Sequence, residues 1–241
     1  MLGYIRLELR RVTRDVAFLV FGIAMPVVMY LIFTTLGLAQ GGGQEATLYV
    51  MVSMAAYGGV GAAFNNGAGL GEDRGAGWLR QLRLTPLAPA SIVTGKTITG
   101  MVVVVPGIVA VLAAGALIKG VTLHPAQWIS IIALLWAGTI PFTLIGLGNG
   151  YLLTGQAVGI ANMAANMGLA VVGGLWLPAE TFPGWLKAIS DWTPTRNYAD
   201  LSWHVAFGQA PPPGSALILL GWLLAAGAYA VYGYRRAART A

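Results

Sequence analysis

Residues 98–118 read ITGMVVVVPGIVAVLAAGALI, a run with no charged side chain. A helix needs about 20 apolar residues to cross the ~30 Å hydrocarbon core of a bilayer. In lipid the segment must also satisfy its own backbone N–H and C=O groups, which a helix does internally. Five further runs have the same character, at about 16–39, 47–71, 128–153, 158–177 and 215–233. The whole chain agrees: of 241 residues 57% are hydrophobic and 9% charged, against roughly 25% charged in a soluble domain. The expected fold class is therefore all-α integral membrane, with six transmembrane helices. Cysteine is absent, which excludes disulfides, thiolate metal sites and cysteine nucleophiles together. The first run ends in Gly37-Leu38-Ala39, which resembles a signal-peptidase site. It is longer than the about 7–15 apolar residues of a signal core, so it reads as a retained helix.

Charge placement orients the spans. With the N-terminus inside, six crossings return the C-terminus inside, and both termini are cytoplasmic. The inner segments then hold Arg6, Arg10, Arg11, Arg14, Arg74, Arg80, Arg83, Lys96, Arg235, Arg236 and Arg239, and the outer ones only Lys119, Lys187 and Arg196. Such a bias is the positive-inside pattern of a multi-pass protein of the cell (inner or plasma) membrane. Trp128, Trp176, Trp185 and Trp192 collect near the expected outer surface and Tyr229, Tyr232 and Tyr234 near the inner one, as interfacial belts do. The net charge of +6 is split among short blocks and forms no single basic face, so nucleic acid is not an expected partner.

Residues 2–16 carry an amphipathic pattern. Leu2, Ile5, Leu9, Val12 and Val16 recur every three or four residues, with Arg6, Arg10 and Arg14 between them. Such a helix lies on the inner leaflet with its arginines toward anionic lipid headgroups.

Just before the run that opens this section, residues 90–97 read ASIVTGKT. This is the relaxed phosphate-binding loop G-x-x-x-x-G-K-[ST] with alanine in the first glycine position. A working loop of this kind follows a buried strand and opens a helix. Here Pro86 and Pro89 stand where a central strand would have to pair, and proline lacks the ladder donor. Nor does any of the eight acidic residues end a second buried strand to hold Mg²⁺. The match is therefore a decoy. The chain is expected to have no catalytic residues, no ATPase site and no bound cofactor or metal of its own.

The inner loop 72–97 still has a purpose to explain. Glu72, Asp73 and Arg74 open it; Trp78, Leu79, Leu82 and Leu84 then alternate with Arg80 and Arg83, and Pro86 and Pro89 close it. A short helix with exposed leucines and arginines suits a groove on a partner, and it equally suits rest on the headgroups. The stretch Glu72-Asp73-Arg74-Gly75-x-Gly77-Trp78-Leu79-Arg80-x-Leu82-Arg83-Leu84-Thr85-Pro86-Leu87, followed by Gly95-Lys96, resembles the cytoplasmic segment of type-2 ATP-binding-cassette (ABC) permeases. Leu177-Pro178-x-Glu180-Thr181-Phe182-Pro183-Gly184-Trp185-Leu186 and Thr193-Pro194-Thr195-x-x-Tyr198-Ala199 resemble that family's segment between spans five and six. Within that family the resemblance is to the short multidrug or antibiotic exporters. It departs from them at Trp78-Leu79-Arg80, where many relatives carry a Glu or Thr nearby.

The resemblance implies a membrane subunit that pairs with a second copy, a homodimer, and binds two separate ABC ATPase subunits that hold the ATP and Mg²⁺. Residues 2–15 become an interface helix. Residues 72–89 become the coupling helix, with Glu72, Asp73, Arg74, Trp78, Leu79, Leu82, Arg83, Leu84 and Pro86 as its docking residues.

No span has an ionisable residue near its middle, whereas ion-coupled carriers hold one there. The amides Asn65, Asn66, Asn162 and Asn166 are candidates to line a substrate pathway, or to hydrogen-bond between helices; Asn149 is a further amide, in the fourth span. Gly58, Gly59, Gly61, Gly146, Gly148 and Gly150 suit close helix contact, and Pro26, Pro106 and Pro141 suit kinks. In the outer segment 178–214, Phe182, Trp185, Leu186 and Ile189 have helical spacing. The family has re-entrant helices here, which makes Phe182, Trp185 and Leu186 a candidate outer gate, with structural capping as the alternative. The function expected is export of a hydrophobic or amphipathic molecule (drug, antibiotic or lipid-like). The alternative is a non-transporting scaffold or sensor that docks a cytoplasmic partner through loop 72–97.

Overall fold

The computed structural model describes residues 18–36, 43–75 and 89–240. Segment 2–15 and residues 76–88, with Trp78, Leu79, Leu82, Arg83, Leu84 and Pro86, lie outside the described residues. The described residues are helical and joined by short turns, with no strand among them. A π-helical turn, Phe18–Ala24, leads into α1 (Met25–Thr35). Then follow α2 (Gln44–Gly75), α3 (Pro89–Ile118), α4 (Pro125–Ala137), α5 (Ile140–Leu152) and α6 (Gln156–Val172). A 3-10 turn, Ala179–Thr181, precedes the short helices α7 (Gly184–Ser190) and α8 (Pro194–Ala206) and the long α9 (Pro213–Thr240).

Four segments are long and apolar enough to cross a membrane: Gln44–Gly67, Thr97–Ile118, Pro125–Leu152 and Pro213–Ala237. The other two apolar helices, Gly22–Thr35 and Gln156–Val172, are shorter.

Several boundaries differ from those read in the sequence. The run 128–153 is one candidate span, Pro125–Leu152, in which a turn at Gly138-Thr139 divides α4 from α5. Pro141 has no N–H to give to the carbonyl of the preceding turn, and the chain turns at Gly138-Thr139, where the Thr139 hydroxyl donates to the Trp136 carbonyl at 2.7 Å. The run 158–177 stops at Val172, because Gly174 takes a φ of +78° and the Leu175 amide returns to the Ala170 carbonyl at 2.9 Å. The inner loop is shorter than 72–97. Glu72, Asp73 and Arg74 belong to the backbone of α2, and α3 begins at Pro89, where a missing N–H costs nothing in a first helical turn. Residues 90–97 are accordingly helical throughout. A helix over this stretch is not the loop that cradles a phosphate.

Helix α2 is the hub. Of its most apolar stretch 78% is buried, against 22% for α9 on the periphery. It packs against α1, α3, α5, α6 and α8. Between apolar helices in lipid there is no water to expel, so close packing of small residues carries the association. The α2–α5 crossing shows this: a Cβ on Gly67 would overlap the Gly146 carbonyl, and one on Gly150 the Gly67 carbonyl. Around this crossing Phe64 meets Phe142 edge-on at 6.1 Å, and Phe142 meets Tyr198 at 5.5 Å. The outward surface carries Leu117, Ile129, Ile160, Met163, Leu217 and Leu224, all well exposed. That surface suits lipid rather than water.

Candidate functional site: an amide relay and a buried plug helix

Two polar constructions stand out in this apolar bundle. The first is a relay of side chains across four helices. The Tyr229 hydroxyl on α9 donates to Asn149 Oδ1 on α5 at 2.7 Å. Asn149 Nδ2 donates to Asn162 Oδ1 on α6 at 2.7 Å, and Asn162 Nδ2 donates to the Phe64 carbonyl on α2 at 2.8 Å. Asn162 is 2% exposed, so leaving its amide unpaired would carry a desolvation cost of about 1–3 kcal/mol. Gly148 makes the relay possible, since a Cβ there would overlap the Tyr229 ring.

The sequence-read amides are thus only partly brought together. Asn162 sits in the relay. Asn166 lies one turn further along α6, its side chain against Gly61 of α2, with its buried Oδ1 unpartnered. Asn66 faces Gly100 of α3, and Asn65 is exposed. Tyr229, read in the sequence as an interfacial aromatic, instead turns its hydroxyl inward to Asn149. No sequence signal distinguishes it from Tyr232, which is 55% exposed on the same helix.

The second construction is α8, a short helix buried on nearly every side. Each residue of its opening motif has a defined task. Thr193 is the N-cap, its hydroxyl accepting from the Arg196 amide at 3.3 Å, and Pro194 occupies the first turn. The Thr195 hydroxyl donates to the Leu169 carbonyl of α6 at 2.6 Å, which requires Gly173 to lack a side chain. Asn197 Nδ2 donates to the carbonyls of Asp191 and Thr193, both at 2.8 Å. The Tyr198 hydroxyl donates to the Leu135 carbonyl of α4 at 3.0 Å. At the far end Gln127 Nε2 donates to the Val205 carbonyl at 3.0 Å, closing an otherwise open helix terminus.

One face of α8 carries charge. Trp203 stacks on Tyr49 of α2 with ring centroids 4.5 Å apart and 14° between planes, and its Nε1 donates to Ser53 Oγ at 3.2 Å. The Arg196 guanidinium lies 5.2 Å over the Trp203 ring and donates to Glu180 Oε1 at 3.2 Å. Ser215 on α9 donates to Asp200 Oδ2 at 2.6 Å, and His204 Nδ1 lies 3.3 Å from Asp200 Oδ1. Between the start of α2, the 175–180 turn and the end of α8 open two joined lobes of about 310 and 340 Å³.

The gate candidates sit outside this cluster. Phe182 precedes α7, so it does not share a helix with Trp185. Phe182 and Leu186 are half-buried, and Trp185 is 68% exposed. Of the coupling candidates, Glu72, Asp73 and Arg74 are placed by their helical backbone alone.

Over 220 residues, 90% of this chain and 89% of the other, the sequence is 28% identical to a Bacillus subtilis (strain 168) protein named "Putative transport permease YvfS". Residues 4–202 match the family described as ABC-2 type transporter. That match takes in Phe64, Asn149 and Asn162 of the relay and most of α8, and the chain belongs to the ABC-2 type transporter family.

Proposed function

We propose that this chain is the membrane subunit of an ATP-driven exporter, moving a hydrophobic or amphipathic molecule (drug, antibiotic or lipid-like) out of the cell. The observation that carries the proposal is family membership over residues 4–202 in a chain whose spans hold no ionisable residue near their middle. A carrier with no site for a coupling ion at depth draws its energy from outside the membrane. In this reading the chain crosses the cell membrane six times with both termini inside, and α7 and α8 form a re-entrant segment on the outer side. Two copies pair, and two separate ATPase subunits bind the ATP and Mg²⁺. Residues 2–15 lie at the interface with those subunits, and residues 72–89 form the coupling segment. Phe182, Trp185 and Leu186 rim the outer exit. Asn162 ties helices and, with Asn65, Asn66 and Asn166, is among the amides that line the pathway in this reading.

The test is whether an adjacent reading frame encodes a lone ATPase cassette, whether that protein co-purifies with this chain, and whether its ATPase is stimulated. We expect the pair to associate, and Leu79→Asp with Leu82→Asp to abolish association while the permease still inserts. Stimulation unchanged by the double substitution would overturn the coupling assignment. An insertion-competent permease that binds no ATPase would favour the scaffold reading.

A further inference from the structure

We propose that the two-lobed cleft between the start of α2, the 175–180 turn and the end of α8 is a binding site for an organic monocation with aromatic or alkyl bulk. The first lobe, about 310 Å³, is walled by the rings of Phe33, Tyr49, Trp176 and Phe207 and carries the carboxylates of Glu45 and Glu180. The second, about 340 Å³, shares Tyr49, Glu180 and Phe207 and adds Asp200 and Arg196. Each lobe falls at the lower end of the size range of small-molecule sites.

The charge balance selects the sign of the ligand. Among the described lining residues Arg196 is the one guanidinium, held by the Trp203 ring and by Glu180, and His204 lies 3.3 Å from Asp200 in the second lobe. Glu45 is exposed at the mouth and forms no ion pair with any described residue. An anion would meet excess carboxylate here, and a neutral molecule would leave the charge unused. The walls select the kind of cation. A hard metal ion needs six or more oxygen ligands, whereas this cleft offers mostly ring faces. Rings with a nearby carboxylate suit an ammonium whose charge is spread over carbon, held by cation–π attraction.

The site's place in an export cycle rests on the proposed function, but its existence does not, so binding is measured on the permease alone. In micelles of an uncharged maltoside detergent, the probe is phenyltrimethylammonium and the control its neutral isostere, tert-butylbenzene, each followed by equilibrium dialysis against empty micelles. We expect saturable binding of the cation, about tenfold tighter than the isostere, since charge and ring faces act together. Glu45→Gln should weaken the cation about fivefold and Glu45→Asp leave it within about twofold, because the carboxylate acts as a charge. Phe207→Leu, which keeps apolar volume and removes the ring, should weaken it about threefold. Equal affinity for cation and isostere would overturn the proposal. So would wild-type binding by Glu45→Gln and Phe207→Leu variants that unfold at the wild-type temperature. Loss of this site with ATPase coupling intact would leave the exporter reading standing, and the reverse result would leave the site standing.

Discussion

The Tyr198 hydroxyl donates to the Leu135 carbonyl at 3.0 Å, less than one turn before α4 breaks at Gly138. The plug helix is therefore fastened to the weakest point of the α4–α5 pair, where Pro141 has already removed a backbone donor. Two glycines make room for it. A Cβ on Gly59 would come 2.9 Å from the Tyr198 hydroxyl, and one on Gly138 would overlap its ring. Tyr198→Phe removes only the hydrogen bond and should lower stability by about 1 kcal/mol. Gly138→Ala forces the ring to move and should cost about 1–3 kcal/mol. Thermal unfolding of the detergent-solubilised protein separates the two. A larger loss in Tyr198→Phe than in Gly138→Ala would show that the hydroxyl, not the packing, holds α8.

The amide relay yields a sharper test, because its members act on one another. Hydrogen bonds between membrane helices average about 0.6 kcal/mol, so Tyr229→Phe alone should be mild. Asn162→Ala strands Asn149 and frees the Phe64 carbonyl from its second donor, and should cost more, about 1–3 kcal/mol. Since Tyr229 and Asn162 meet on the same Asn149 side chain, the double variant should be less destabilised than the sum of the singles. A double-mutant cycle measures this directly. Strict additivity would mean that the relay does not act as a unit.

Glycines of α2 allow a comparison within one helix. At Gly67 an added methyl group would overlap the Gly146 backbone, whereas at Gly69 nothing lies within 4 Å. Gly67→Ala should cost roughly 1–3 kcal/mol by overpacking and lower the yield of folded protein. Gly69→Ala should be neutral or slightly stabilising, by up to about 1 kcal/mol, since alanine is the better helix former. Size-exclusion profiles and unfolding temperatures report both. Similar behaviour of the two variants would contradict the close α2–α5 crossing.

Much of this arrangement could be read from the chain, for physical reasons that also mark where the reading fails. The runs at 47–71, 98–118 and 215–233 announce helices because lipid demands apolar length, and α2, α3 and α9 include them. Glycine clusters pointed to close packing, and Gly146 and Gly150 are found against α2. Which way a side chain faces was much less legible. In helices apolar all round, no periodic stripe fixes the rotation, so Tyr229 was placed at the surface although its hydroxyl reaches Asn149. Arg196 passed as an outer-loop charge in the count of lysines and arginines. Its partners are Trp203 within α8 and Glu180 sixteen residues upstream, and only the folded turn at 173–183 brings that carboxylate to it. Pro141 signalled a kink, and the span does turn nearby, at Gly138-Thr139, where the Thr139 hydroxyl also caps the end of α4.

Arg196 also offers a test of how the charged face of α8 is held. Its side chain is 17% exposed, and one guanidinium nitrogen is buried without a partner, so its charge depends on Glu180 and on the Trp203 ring. A planar guanidinium stacks on an indole and forks toward a carboxylate, which a lysine ammonium cannot do in the same way. Arg196→Lys should therefore destabilise the protein by about 1–2 kcal/mol although the charge is kept. Glu180→Gln leaves a mostly buried cation with one partner fewer. Because Glu180 is 62% exposed, its loss should matter less than that of the ring contact; an exposed pair contributes about 0–1 kcal/mol. Trp203→Leu removes the ring, its Tyr49 stack and its hydrogen bond to Ser53 together, and should be the most damaging of the three. Unfolding temperatures at low and high salt rank them. If Glu180→Gln proved worse than Trp203→Leu, with its effect erased by salt, the ion pair rather than the aromatic stack would be what holds Arg196 in place.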